Sequence, residues 1–158
     1  MTWEERRDAL WASFDELDED EFRRQMDELT AELGPDSAVA AYERGSAFDS
    51  TGHSDLAVPL YERALELGLD EDRRRPAVIQ TASSLRNMGR ADESVALLEA
   101  ERARRSDELD DAISAFLAFA LVDAGREREG AAVALAALAP HLPRYQRSVG
   151  NYARLLTE

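Results

Sequence analysis

The chain has 158 residues, with 33 acidic side chains against 19 arginines and a formal charge of −14; that length suits one packed domain, and that charge repels the phosphates of nucleic acid and of anionic membranes. It contains neither lysine nor cysteine, which excludes lysine Schiff bases, phosphate-loop lysines, thiolate catalysis, disulfides and cysteine-held zinc. Aromatics are few, alanine, leucine and glutamate are plentiful, and glycine and proline are sparse, which indicates an all-helical protein. Arginine without lysine, with much alanine, points to a GC-rich bacterial genome. The start, MTWEERRDALWASF, lacks the apolar stretch of a signal peptide or membrane span and suits a cytoplasmic protein.

Apolar residues recur at three- and four-residue spacing along most of the chain, which predicts helices in the following order. The first runs over 3–16, with Thr2 and Glu5 spaced as a capping box. The second starts near Asp18, presents Phe22, Met26, Leu29 and Leu33 on one side, and stops at Gly34 and Pro35. Three pairs follow, at 37–50 and 54–67, at 72–88 and 91–104, and at 107–124 and 127–139. Pro76 falls at or near the first turn of its helix, where the missing N–H has no partner to lose. Beyond Pro140, the stripe Leu142, Tyr145, Val149, Tyr152 and Leu156 predicts a closing helix.

Gly52, Gly89 and Gly125 each interrupt a helical pattern inside a pair, 37 and 36 residues apart. Such a glycine ends the first helix and lets the chain turn back. Counting back seven and four from each glycine gives Gly45 and Phe48, Ala82 and Leu85, Ala118 and Leu121; counting forward five and nine gives Ala57 and Tyr61, Ser94 and Leu98, Gly130 and Ala134. Each pair of helices therefore carries small residues where its members cross and large ones beside them.

These slots resemble the tetratricopeptide repeat, a helix-turn-helix unit of about 34 residues with the signature W-x2-L-G-x2-Y followed by A-x3-F. The first repeat matches best, and the third is degenerate. The family's tryptophan slot holds Ala41, Val78 and Ser114, and Arg44 stands in a leucine slot. The resemblance, over residues 36–140, implies an all-α, right-handed α-α superhelix of three repeats, at 37–70, 72–106 and 107–140. An acidic helical cap at 1–34 and a capping helix at 141–158 close its ends.

The resemblance further implies a non-enzymatic module that holds a peptide or partner protein in a groove lined by the first helices of the pairs. Carried over slot by slot, that lining is Tyr42, Ser46, Asp49 and Ser50, then Ile79, Ser83, Arg86 and Asn87, then Ala115, Phe119, Val122 and Asp123. Such a surface suits a partner with an apolar anchor and a carboxylate received by Arg86. The plainer alternative buries Phe119 and Ile79 under the terminal helix and pairs Arg86 with Asp49 or Asp123. The family's clamp of lysines and asparagines for a C-terminal carboxylate is not reproduced.

No residue set points to catalysis, a metal or a cofactor. The run DELDEDE at 15–21 lacks the glycine and distal glutamate of a calcium loop and reads as a helix junction. His53 and His141 have no metal-ligand spacing, no serine sits in a G-x-S-x-G elbow, and Arg73, Arg74 and Arg75 read as an exposed pairing surface. The partner expected is a protein or peptide, with neither nucleic acid nor membrane. The alternative is a structural homodimer in which the terminal helices bury Tyr145 and Tyr152.

Overall fold

Nine α-helices follow one another in the computed structural model, which describes Met1–Glu158, with two single 3₁₀ turns and no strand. Contacts divide the chain into two compact units, Met1–Gln80 and Thr81–Glu158, with the division inside the fifth helix.

In the first unit, α1 (Trp3–Ala12) starts at the expected capping box. The Glu5 amide donates to Thr2 Oγ1 at 3.2 Å, and the Thr2 amide donates to Glu5 Oε2 at 2.7 Å. The helix stops at Ala12 rather than near Glu16 because Ser13 ties back to the Leu10 carbonyl and the chain tightens into a 3₁₀ turn, Phe14–Glu16. That turn places Phe14 edge-on to Phe22 at 4.9 Å, with Trp11 5.0 Å from the same ring. Asp18 caps α2 (Glu19–Ala31), which buries Phe22, Met26 and Leu29 against Leu10 and Ala47 while Leu33 stays outside. Full burial of Phe22 and Met26 contributes about 1.5–3 kcal/mol each. Next come α3 (Ala38–Ser50) and α4 (Ser54–Glu66), then the first half of α5 (Glu71–Asn87), whose Ala77 packs with Ala41, Ala64 and Leu69.

Two expectations change on α5. Pro76 is the sixth helical residue, past the first turn and one residue deeper than a start at 72 gives. Arg75 is 1% exposed rather than part of a surface run, because positions 75, 78, 79 and 82 share the inner face of the helix.

In the second unit, α6 (Ala91–Arg104), α7 (Asp110–Asp123) and α8 (Glu127–Leu138) pack in succession around Val95, Leu98, Ile113, Leu117 and Leu121. The α7 helix begins three residues later than expected because the Asp107 carboxylate caps the preceding turn through the Leu109 amide at 2.8 Å. The small-residue crossings are as the spacing predicts: Ser94 Oγ donates to the Ala82 carbonyl at 2.7 Å, and a Cβ on Gly130 would lie 2.8 Å from the Ala118 carbonyl oxygen.

Gly52, Gly89 and Gly125 adopt φ of 80°, 74° and 75°, the left-handed region in which other residues are strained. The residue after each donates its amide to the carbonyl five back: His53 to Phe48 at 2.9 Å, Arg90 to Leu85 at 2.9 Å, Arg126 to Leu121 at 2.8 Å. The three turns are one structure repeated.

The closing helix, α9 (Gln146–Leu155), differs from its expected stripe. It packs through Val149, Gly150, Ala153 and Leu156, while Tyr145 and Tyr152 are 73% and 69% exposed. Tyr145, expected on that stripe after Leu142, stands before the first turn with φ of 69°, outside the helix. None of the nine helices is long and apolar enough to cross a membrane.

Candidate functional site

In the first unit, Ala40, Glu43 and Ala47 follow at helical spacing along the buried side of α3, which puts a carboxylate in the middle of an apolar stripe. Glu43 is 3% exposed. A buried carboxylate needs donors, and α1 supplies them. Trp11 Nε1 donates to Glu43 Oε2 at 2.9 Å, and Arg7 Nη1 donates to Oε1 at 3.3 Å.

Beside this pair lies a cavity of about 490 Å³, a volume that admits a side chain or small ligand. Its walls come from α1 (Arg7, Asp8, Trp11), α3 (Tyr42, Glu43, Ser46, Ser50) and α5 (Arg73, Gln80). Gln80 Oε1 is buried and accepts no hydrogen bond. Of the residues expected in a groove, Tyr42, Ser46 and Ser50 line the cavity; Asp49 meets the buried Tyr61 instead, and Ile79 is 9% exposed, largely taken up by packing.

Tyr61 lies beneath Tyr42, ring centroids 6.1 Å apart, and its hydroxyl reaches Asp49 Oδ2 at 3.3 Å and Ser46 Oγ at 3.4 Å. Burial pushes the phenol far above its ordinary range, with the Asp49 carboxylate adding to the shift. The folded state therefore holds the proton longer than the unfolded chain does. The resulting stability is intact below the unfolded pKa of about 10 and is lost as the pH rises toward the folded value. Urea midpoints for the wild type are expected to fall between about pH 9 and 11, and Tyr61→Phe is expected to flatten that fall; equal losses in both proteins would refute the assignment.

In the second unit, Arg86, Phe119 and Asp123 come together. Arg86 Nε donates to Asp123 Oδ2 at 2.7 Å, and the guanidinium carbon stands 5.2 Å from the centre of the Phe119 ring. Arg86 is thus partnered within the chain, as the plainer alternative had it. Phe119, however, remains 56% exposed, contrary to that alternative, and Val122 beside it is 47% exposed. Ser83 is half-buried and Asn87 exposed on the same half of α5.

Glu43, Arg7, Trp11 and Gln80 escaped the slot-by-slot reading, which took no lining residue from α1. One signal was available: an acid flanked at helical spacing by two alanines on a stripe otherwise apolar.

A family model described as Tetratrico peptide repeat matches residues 38–156, a stretch that contains α3 through α9. No curated protein and no solved structure gives a match.

Proposed function

Because the chain belongs to the tetratricopeptide repeat family, we propose that it is a non-catalytic protein-interaction module of the cytoplasm, receiving a peptide or partner protein on faces of its repeat helices. The observation that carries this reading is the pair Phe119 and Val122. Two large apolar side chains stand in solvent on a helix whose other side is fully packed, with a cation held beside them by its own carboxylate. An exposed aromatic next to a pre-positioned arginine is the composition of an interface anchor, and rigid helices lose little ordering entropy on receiving a partner. Ser83, Arg86, Asn87 and Asp123 form the polar surround in this unit, and Tyr42, Ser46, Asp49 and Ile79 belong to the corresponding helix faces of the first. No metal or cofactor enters this role.

Affinity capture from native extract, with Phe119→Asp as the comparison, tests it. Phe119 is exposed, so the variant is expected to melt within a few degrees of the wild type while losing the partner. Identical capture by both proteins would move the interaction off this face. A second reading, a homodimer through the terminal helices, is favoured by the exposure of Tyr145, Tyr152 and Leu155 on or beside α9. Light scattering separates the two: a species of twice 17.6 kDa that Tyr152→Asp dissolves supports assembly, and a monomer supports the module.

A further inference from the structure

We propose that the cavity of the first unit receives an arginine side chain presented by the partner. This rests on reading the repeat helices as a binding surface and adds the chemistry recognised at one place on it. The starting point is Gln80, which lines the cavity and whose side-chain oxygen is buried with no donor. A buried acceptor left empty is costly, and turning the amide so that its oxygen meets a ligand rich in N–H groups removes that cost.

The cavity's own cations are already engaged. Arg7 donates Nε and Nη2 to Asp8 Oδ1, at 2.9 and 2.5 Å, and Nη1 to Glu43. Arg73 donates Nη1 to Asp70 Oδ2 at 2.6 Å. The acceptors are less fully used. Asp8 engages a single oxygen in these contacts, and Glu43 Oε1 holds one long bond. The wall therefore offers acceptors to a newcomer, and an incoming carboxylate would face Glu43 while competing with Asp8 and Asp70 for their arginines.

Trp11 and Tyr42 add aromatic surface to the same walls, which favours a planar guanidinium over an ammonium. Residues 1–33 hold twelve acids and four arginines, so the long-range field draws a basic partner toward this end of the sequence.

The test uses the full chain and three probes: the peptide acetyl-Gly-Ser-Arg-Ser-Gly-amide, its citrulline counterpart of the same shape without charge, and its aspartate counterpart. Trp11 lines the cavity, so tryptophan emission reports occupancy, with calorimetry as a second readout. The arginine peptide is expected to bind about tenfold more tightly than the citrulline peptide, an increment typical of one charged contact. Gln80→Leu is expected to weaken it about tenfold, and Gln80→Glu to tighten it several-fold. The second variant guards against simple misfolding, since a damaged cavity does not gain affinity.

Equal binding of the arginine and citrulline peptides overturns the proposal, as does no response to the arginine peptide at about 1 mM. Preference for the aspartate peptide overturns it too, while leaving the binding-surface reading in place. A partner lost in Phe119→Asp while all three peptides fail to bind separates the two in the same way.

Discussion

Replacing Glu43 by alanine is expected to lower the unfolding free energy by about 3 kcal/mol, the usual cost of breaking a buried ion pair from one side. The loss has two parts. The Trp11 indole N–H, now 2.9 Å from Glu43 Oε2, would be left without an acceptor, and Arg7 would lose the only one of its two carboxylates that is buried. Glu43→Gln keeps an oxygen for the indole and gives up the charge and the acceptor for Arg7, so about half the cost is expected. Both tryptophans, Trp3 and Trp11, lie in the first unit, and urea unfolding followed by their emission reports on that unit. A cost below about 1 kcal/mol for the alanine variant would show that the carboxylate is solvated rather than clamped.

The second large effect has a sign that helix propensity gets wrong. Glycine inside a helix is worse than alanine by about 1 kcal/mol, so Gly130→Ala ought to stabilise α8. The structure predicts the opposite, a loss of about 1–3 kcal/mol. The added Cβ would stand 2.8 Å from the Ala118 carbonyl oxygen and 3.1 Å from Val122 Cγ2, and a backbone oxygen within α7 cannot step aside. Gly150→Ala is the internal control. Its Cβ would meet only the Ala139 Cβ, at 4.0 Å, so the propensity gain survives and up to about 1 kcal/mol of stabilisation is expected. Chemical denaturation followed by far-ultraviolet dichroism on the two variants decides the matter: stabilisation by both would mean that α7 and α8 do not cross as closely as described.

The helix pairs were legible because their signals are local and repeated. Gly52, Gly89 and Gly125 announce the turns, Thr2 and Glu5 announce the first cap, and the spacing of Ala82 from Ser94 and Ala118 from Gly130 announces where helices cross. The face of α9 was legible only in part, since Val149 and Leu156 of its expected stripe do pack. Periodicity weighs large apolar residues and favoured Tyr145 and Tyr152, whereas the packed side is set by Gly150 and Ala153, whose smallness lets the backbone approach. The cavity was harder still. Its walls come from three separate helices, α1, α3 and α5, and nothing in the spacing of Gln80 from Glu43 or Arg7 reveals that they meet. Arg86 shows a third limit: its pairing with a carboxylate, Asp49 or Asp123, was readable, but the choice of Asp123, 37 residues away, was not.

The three turns within the pairs are closed by main-chain bonds and one left-handed glycine each, with no side chain taking part in the closing bond. A joint of that kind carries no mark of the repeat that contains it. The residues around it can diverge freely, as S-T-G-H, N-M-G-R and D-A-G-R have done, provided the glycine stays. The third repeat could therefore lose the aromatic signature of its second helix, with Ala134 where the first has Tyr61, and keep its hinge. Drift in such a chain collects on helix faces, where partners are chosen, and spares the joints, where the architecture is set.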